Sequence, residues 1–199
     1  MRISIHYSIV EKLQALLGHE YVSNDFDICQ KYGHDETENL NFPPSLLLKP
    51  RTSEEIAEIL KIANEHKIPV TAIGGQTGLS GGALCVRQGI GLSMERFNQI
   101  IEIDQNNLQV TVEPGVITQV LRDAVAQVGL FYPPDPSSQG SCFIGGNIAE
   151  NAGGARALKY GVTRDYVLNL EVVLPNGEIM WTGANTLKNS TGYNLTHLM

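Results

Sequence analysis

Two short stretches hold most of the glycine in this chain. Glycine accounts for 20 of the 199 residues, with seven between positions 74 and 91 and six between positions 140 and 161. Its usual share is about 7%. Glycine lets the backbone adopt positive φ and lets another group approach it closely. The fold is therefore expected to be organised around two loops at which the backbone itself meets a ligand or a neighbouring segment.

Length and charge exclude several classes of protein. A chain of 199 residues can form one domain or two small subdomains. The net charge of −7 and the scattered basic residues exclude nucleic acid as a partner. No apolar stretch approaches the roughly 20 residues that span a bilayer. The three cysteines are widely spaced and read as reduced thiols, and the five histidines lack the spacing of metal ligands. No metal site is predicted.

Residues 46–73 are typical of a β-α-β unit. The capping pair Thr52 and Glu55 begins its helix, and the strand at 70–73 leads directly into the first glycine-rich stretch. The other predicted elements are a helix beginning with a capping box at Ser8 and Glu11 and ending at Gly18, strands at 90–94, 100–103 and 108–112, a helix at 120–128, and a hairpin at 168–182 that turns at Pro175-Asn176-Gly177.

The first loop, residues 74–82, has five glycines in nine positions directly after a buried strand. Successive backbone N–H groups in such a loop form a nest that suits a pyrophosphate, and Thr77 and Ser80 could add hydroxyl donors. A flexible hairpin loop is the alternative. The density of glycine after a buried strand argues against it.

Two common phosphate-binding motifs do not fit the first loop. A Rossmann fingerprint needs a helix that opens from the loop, with an acidic residue about 20 positions further on. Glu95 has that spacing from Gly75, but residues 83–94 read as turn and strand. A Walker A motif needs Gly-Lys-Ser/Thr, which is absent. The sequence therefore predicts another nucleotide-binding fold.

The second region, residues 133–161, alternates glycines with small and amide residues. This composition suits a surface that packs on a large flat ligand and hydrogen-bonds its edges. An ordinary long connection is the alternative, although the apolar Phe143, Ile144 and Ile148 argue against disorder. The acidic run at 35–38 is expected to be a solvated face, and Cys142 a small buried apolar residue rather than a flavin contact.

A series of motifs in order identifies a resemblance to a known family. They are Pro50-Arg51-Thr52, the first loop, Asp135-Pro136-Ser137-Ser138, Ile144-Gly145-Gly146-Asn147, Glu150-Asn151-Ala152-Gly153-Gly154, Lys159-Tyr160-Gly161-Val162 and Thr191-Gly192-Tyr193. In these motifs the chain resembles the FAD-linked subunit of glycolate oxidase and the D-lactate and D-2-hydroxyglutarate dehydrogenases. Those enzymes belong to the p-cresol methylhydroxylase and vanillyl-alcohol oxidase superfamily.

The resemblance implies an α+β (α/β) fold in which FAD lies between two α/β subdomains, here residues 1–104 and 105–199. The implied FAD-binding residues divide into four groups. Gly74, Gly75, Gln76, Thr77, Gly78 and Leu79 would bind the pyrophosphate, Asp135 and Ser138 would lie near the isoalloxazine, Gly145, Gly146 and Asn147 along the ribityl and phosphate groups, and Gly153, Gly154 and Gly161 towards the adenosine.

The implied activity is oxidation of a small 2-hydroxy acid to the 2-oxo acid, with electrons passing to a partner subunit or a quinone. The FAD is expected to be non-covalent, since Gln76 stands where covalent branches of the family carry histidine. The catalytic residues are unknown and expected beyond Met199. The chain is therefore expected to be a fragment, inactive alone, and cytoplasmic or peripheral to the membrane through a partner.

Two alternatives stay open at this point. One is a different flavoenzyme on the same scaffold, such as a sugar oxidase or an ether-lipid synthase. The other is a non-catalytic nucleotide-binding or assembly subunit, against which the intact first loop argues.

Overall fold

The computed structural model describes residues 5–199, which contain α-helices and β-strands in a mixed order. The mixed α+β class is confirmed. The elements in chain order are α1 (Tyr7–Leu17), β1 (Val22–Ser23), α2 (Phe26–Gln30), β2 (Leu46–Leu48), α3 (Ser53–Glu65), β3 (Val70–Ile73), β4 (Ile90–Ser93), β5 (Ile100–Asp104), β6 (Gln109–Val112), α4 (Thr118–Gln127), α5 (Ile144–Ala149), α6 (Ala157–Tyr160), β7 (Glu171–Val173) and β8 (Ile179–Trp181).

A four-stranded sheet forms the frame of the first half. Its strand order is β1-β2-β4-β3, and β4 pairs in parallel with both β2 and β3. The crossover from β2 through α3 to β3 is the predicted β-α-β unit. Because β3 ends at Ile73, the sheet delivers the first loop at the carboxyl end of a parallel strand, a common place for a ligand site in α/β sheets.

The two predicted capping boxes have different outcomes. Thr52 Oγ1 accepts from the Glu55 N–H at 3.2 Å, which confirms the start of α3, although the Glu55 carboxylate accepts from the Arg51 N–H instead of closing the box. The box at Ser8 is wrong. The helix begins two residues earlier, so His6 is the N-cap and its Nδ1 accepts from the Ser8 N–H at 3.3 Å.

Two separate hydrophobic clusters hold the fold together. The first lies between the sheet and the helices α1 and α3, and its fully buried side chains include Leu13, Leu48 and Ile59. The second is centred on Val116, Leu121, Val125 and Ile144, and the inner faces of β5 and β6 pack against it. A Leu or Ile truncated to Ala in such a core costs about 2–5 kcal/mol. The molecule therefore has two packing units.

The later elements follow the predicted pattern: α4 starts two residues before its predicted bound, and β7 and β8 are shorter than predicted. β7 and β8 form the predicted hairpin, and Gly177 in its turn has φ +82°. Gly129 has φ +79° at the end of α4, as a helix terminator requires. The second region, however, contains the short helices α5 and α6, which its glycine content did not predict.

The predicted division of the chain at residues 104 and 105 stays a prediction. That position lies in the turn between β5 and β6, and both strands belong with the second cluster. None of the helices within residues 5–199 is both long enough and apolar enough to span a bilayer.

Candidate functional site

The first loop packs directly on the second region. A Cβ built on Gly75 would lie 2.5 Å from the Ser141 carbonyl oxygen and 3.3 Å from the Cys142 Cα, and one on Gly74 would touch Phe143. Real Cβ atoms do not approach a carbonyl oxygen that closely. Glycine at position 75 is therefore required by the contact between the two segments, besides any contact with a ligand.

A groove runs along this junction. It consists of two adjoining hollows of about 260 and 320 Å³, which share Gly74, Gly75, Gln76 and Phe143. The smaller hollow is also lined by Asp35, Thr77, Gly78, Leu79, Ala83, Ser138, Cys142, Gly146, Asn147, Glu150 and Ala152, and the larger by Lys31, Tyr32, Glu95 and Ser141. The structure thus brings all six predicted residues of the first loop together with Ser138, Gly146 and Asn147.

The backbone of the first loop is held in place by a side chain, while its N–H groups remain available as hydrogen-bond donors. Within residues 5–199, no acceptor hydrogen-bonds the backbone N–H groups of residues 75–80. Gln76 has φ +57°, a left-handed conformation that is uncommon for a residue other than glycine. Its side-chain amide donates to the Lys31 and His34 carbonyl oxygens at 3.2 and 2.5 Å. These bonds tie the loop to the preceding segment and leave its N–H groups for an anion.

The segment before β2 braces the first loop from the outside, which the sequence did not predict. The Glu36 N–H donates to the Gly78 carbonyl oxygen at 3.0 Å. Asp35, expected on a solvated face, is only 7% exposed, so that expectation is wrong for this residue. Its Oδ1 accepts from the Thr37 N–H, whereas Oδ2 is buried without a partner among the described residues. Glu36 and Glu38 are exposed as expected, so only Asp35 turns inward, next to the point where the backbone of the run pairs with the loop.

A small buried polar network supports the floor of the groove. Asn147 is 3% exposed, and its Nδ2 donates to Thr118 Oγ1 at 2.6 Å. Cys142 Sγ lies 3.1 Å from the same hydroxyl and is equally buried, so it acts as a packed small residue at the groove wall. All three cysteines are free and buried. The network fixes the first turn of α4 relative to α5.

Asp135 lies beside the groove, in a network of its own. Its carboxylate accepts from Arg122 at 2.6 Å and pairs with Arg156 at 3.1 Å, and neither Asp135 nor Arg122 exposes more than 16% of its side chain. Arg156 also lies over the Phe131 ring. Asp135 therefore anchors the Pro-rich segment to α4 and to the start of α6.

Local packing or backbone conformation explains glycine at three of the four remaining predicted positions. A Cβ on Gly145 would meet Pro114 at 2.7 Å, and one on Gly154 would overlap the Asp135 carbonyl oxygen. Gly161 ends α6 with φ +85°. A Cβ on Gly153 would lie 3.4 Å from Ala157 and Val162, an ordinary van der Waals contact. These four residues do not line either hollow of the groove.

A charged cluster borders the larger hollow, and sequence reasoning did not find it. Tyr32 Oη and Lys49 Nζ each donate to the Glu95 carboxylate at 2.7 Å. Burial alone would raise the pKa of Glu95, but the hydrogen bonds from Lys49 and Tyr32 outweigh burial and leave that pKa below its ordinary value. Glu95 is thus an ionised structural partner, which agrees with the rejection of a Rossmann ribose contact. No group of three or more His, Cys, Asp or Glu side chains within residues 5–199 could hold a metal ion.

The groove and its glycines coincide with a known sequence family. The family described as FAD binding domain matches residues 44–183. This range contains the first loop, the second region and the two-stranded sheets β5-β6 and β7-β8. The chain belongs to this family.

The relatives of this chain agree with the family resemblance that its motifs indicate. The chain is 50% identical to the glycolate oxidase subunit GlcD of Bacillus subtilis (strain 168), over 84% of this chain and 36% of that protein. It is 41% identical to a D-lactate dehydrogenase of Anaerostipes hadrus, over 96% of this chain and 40% of that protein. The chain thus spans well under half the length of these relatives.

Solved structures confirm the fold. The structure of p-cresol methylhydroxylase with substrate bound superposes with a TM-score of 0.75 and 29% identity, over 96% of this chain and 37% of that one. The expected p-cresol methylhydroxylase type of FAD-binding fold is confirmed.

The residues at the groove fit FAD, the cofactor that the sequence predicted and the family confirms. The free N–H groups of the first loop suit a diphosphate, and Ser138 offers a hydroxyl group along the wall. The smaller hollow is lined by no Lys or Arg among the described residues. Backbone N–H dipoles would stabilise the negative charge of a diphosphate there, as in other anion-binding nests.

The ion pairs of Asp135 in the FAD-binding domain allow a first prediction. Asp135→Asn is expected to lower the free energy of unfolding by about 2–3 kcal/mol, because it leaves the mostly buried guanidinium group of Arg122, and the more exposed one of Arg156, without a counter-charge. Urea denaturation measures this change. Lys61→Ala, which removes an exposed pair with Glu58, is the control and should change stability by less than about 1 kcal/mol. If Asp135→Asn leaves stability intact but reduces flavin binding, Asp135 acts on the cofactor instead of the scaffold.

Proposed function

We propose that this chain is the FAD-binding domain of an enzyme that oxidises a small 2-hydroxy acid to the 2-oxo acid. The observation that carries the proposal is the sequence identity to a glycolate oxidase subunit over 84% of the chain and to a D-lactate dehydrogenase over 96% of it. The groove supports it, since both walls are made by the segments in which the family motifs lie. The flavin would supply the chemistry by accepting a hydride from the substrate α-carbon at N5.

The role proposed for this chain is to bind and orient the cofactor. Residues 74–79 would hold the diphosphate through backbone N–H groups, and Gly146 and Asn147 would follow the ribityl and phosphate groups. Asp135 and Ser138 are assigned near the isoalloxazine, and Ser138 alone of the two lines the groove. The adenosine is assigned to the side of Gly153, Gly154 and Gly161.

The finer properties of the enzyme are proposed on the same basis. The FAD is non-covalent, since the side chain of Gln76 is an amide engaged with two backbone carbonyls. Residues that recognise the 2-hydroxy acid lie in the part of the enzyme outside this chain, because its relatives are more than twice as long. Electrons leave through a partner subunit or a quinone, and the enzyme is cytoplasmic or attached to the membrane through that partner.

A flavin spectrum tests the cofactor part of the proposal. The purified chain is incubated with FAD, separated from free cofactor, and measured in the visible range before and after acid precipitation. We expect a retained flavin spectrum that moves entirely to the supernatant on acid treatment. Colour left in the precipitate would contradict the non-covalent assignment, and a folded but colourless protein would contradict FAD binding by this chain.

The substrate class is tested in the whole enzyme. Anaerobic addition of glycolate or D-lactate is expected to bleach the bound flavin, with the corresponding 2-oxo acid as product. The matched control is the L-enantiomer of lactate, which presents its α-hydrogen differently to a fixed flavin face. Bleaching by phenolic alcohols or sugars, with none by 2-hydroxy acids, would assign the protein to another branch of the superfamily.

A further inference from the structure

One carboxylate crosses the groove between its two walls. The Ser80 hydroxyl donates to Glu150 Oε1 at 2.5 Å, although the two residues are 70 positions apart. Glu150 directly follows α5, and its own N–H is held by the Gly146 carbonyl oxygen at 3.0 Å. The carboxylate of Glu150, at the end of α5, thus accepts a hydrogen bond from the end of the first loop.

The glycines at the end of the first loop make room for this carboxylate. A Cβ built on Gly78 would lie 3.2 Å from Glu150 Oε1, and one on Gly82 would lie 3.1 Å from it. Both distances are tighter than ordinary contacts of real Cβ atoms. Gly78 and Gly82, which the sequence assigns to a ligand-binding loop, therefore also make room for the Glu150 side chain.

The contact has no duplicate among the described residues. No other hydrogen bond in residues 5–199 joins the first loop, residues 74–82, to the second region. Gln76 ties the loop outward to Lys31 and His34, so Gln76 and Glu150 hold it from opposite sides. Between them the loop carries Leu79, which is 76% exposed and has little packing of its own. Without the Ser80–Glu150 contact, the groove side of the loop has only van der Waals support.

We propose that Glu150 is a positioning residue for FAD: its bond to Ser80 fixes the first loop with the free N–H groups facing the groove. This inference rests on the proposed function. Hydrogen-bond acceptance by Glu150 is the useful property, since a negative charge beside a diphosphate is unfavourable. An amide in its place keeps an acceptor oxygen and removes that charge, whereas alanine removes both.

FAD affinity separates these properties. The dissociation constant is measured by titration for the wild type, Glu150→Ala, Glu150→Gln, Ser80→Ala and the Ser80→Ala/Glu150→Ala double variant. We expect each alanine variant to bind about tenfold more weakly, as the loss of one charge-assisted hydrogen bond allows. The double variant should be no weaker than either single one, because both changes remove the same bond. Glu150→Gln should stay within about threefold of the wild type.

A second readout needs no cofactor. Thermolysin cuts on the amino side of exposed leucines, so the rate of cleavage before Leu79 reports the mobility of the first loop. Without FAD, Glu150→Ala and Ser80→Ala should be cut about tenfold faster there, since the free loop opens more often. Their urea midpoints should stay unchanged. Glu178→Ala, which removes an exposed carboxylate next to β8, should match the wild type in every measurement.

The outcomes distinguish the inference from the function on which it rests. If no variant and no wild-type protein binds FAD, the proposed function of this chain fails, while the cleavage rates still decide whether the contact holds the loop. Wild-type cleavage rates in both alanine variants would overturn the inference. So would faster cleavage with unchanged FAD affinity, or tighter FAD binding by Glu150→Ala, which would make the carboxylate a competitor of the cofactor.

Discussion

Replacing Gly75 with alanine is expected to weaken FAD binding by about a hundredfold or more, equivalent to roughly 2.7 kcal/mol. The new Cβ would lie 2.5 Å from the Ser141 carbonyl oxygen and 3.3 Å from the Cys142 Cα, both backbone atoms that no side-chain rotation can move. The first loop and the second region would have to separate, and the two walls of the groove would separate with them. Titration with FAD measures the loss.

Gly140→Ala is the matched control for this substitution. Gly140 lies in the same region, one residue before Ser141, but a Cβ there would meet nothing within 4 Å. Its FAD affinity should equal that of the wild type. If Gly75→Ala binds FAD normally, the close packing of the two segments does not set the geometry of the site, and the proposed role of the first loop would be wrong.

Gly154→Ala is expected to cause the largest loss of stability, about 3 kcal/mol or more. Gly154 has φ +112°, a conformation open almost only to glycine, which alone costs about 1–3 kcal/mol in another residue. The added Cβ would also overlap the Asp135 carbonyl oxygen and lie 2.8 Å from the Pro136 nitrogen. Because Asp135 and Gly154 form a parallel bridge, the substitution would push apart the two ends of the second region.

The two contributions at Gly154 are separated by Gly129→Ala. Gly129 also has positive φ, +79°, but a Cβ there would lie in open space. Urea denaturation should show a loss of only about 1 kcal/mol for this variant, since it reports backbone strain without a steric overlap. Equal losses for both variants would mean that the backbone near Gly154 moves freely, and the bridge to Asp135 would then contribute nothing.

Local signals in the sequence predicted most of the elements. Thr52 is a correct helix start because its hydroxyl accepts from an N–H only three residues away. Gly129 was correctly predicted to end a helix and Gly177 to lie in a turn, because positive φ is a property of single residues. The first loop followed from glycine density after a strand. In each case the deciding interaction lies within a few residues, so the pattern contains it.

The interactions that shape the groove join distant residues, and local patterns do not contain them. Asp35 is buried because its neighbour Glu36 pairs with Gly78, more than 40 positions away. Glu150 reaches Ser80 over 70 positions. Helix α5 was missed because Gly145 and Gly146 both lower helix propensity, yet Gly145 is needed for close packing on Pro114. Tertiary packing outweighed propensity there.

The two hydrophobic clusters have a consequence for cooperativity. The first loop follows β3, whose Val70 packs against the first cluster, whereas α5 in the second region carries Ile144 of the second cluster. Among the described residues, the Ser80–Glu150 hydrogen bond is the one that joins the two segments. A cofactor bound between the two walls contacts both packing units. Its binding therefore stabilises the protein only while both units are folded. The flavin would therefore couple the unfolding of the two units more tightly. Loss of flavin would remove this shared contact and make opening along the groove easier.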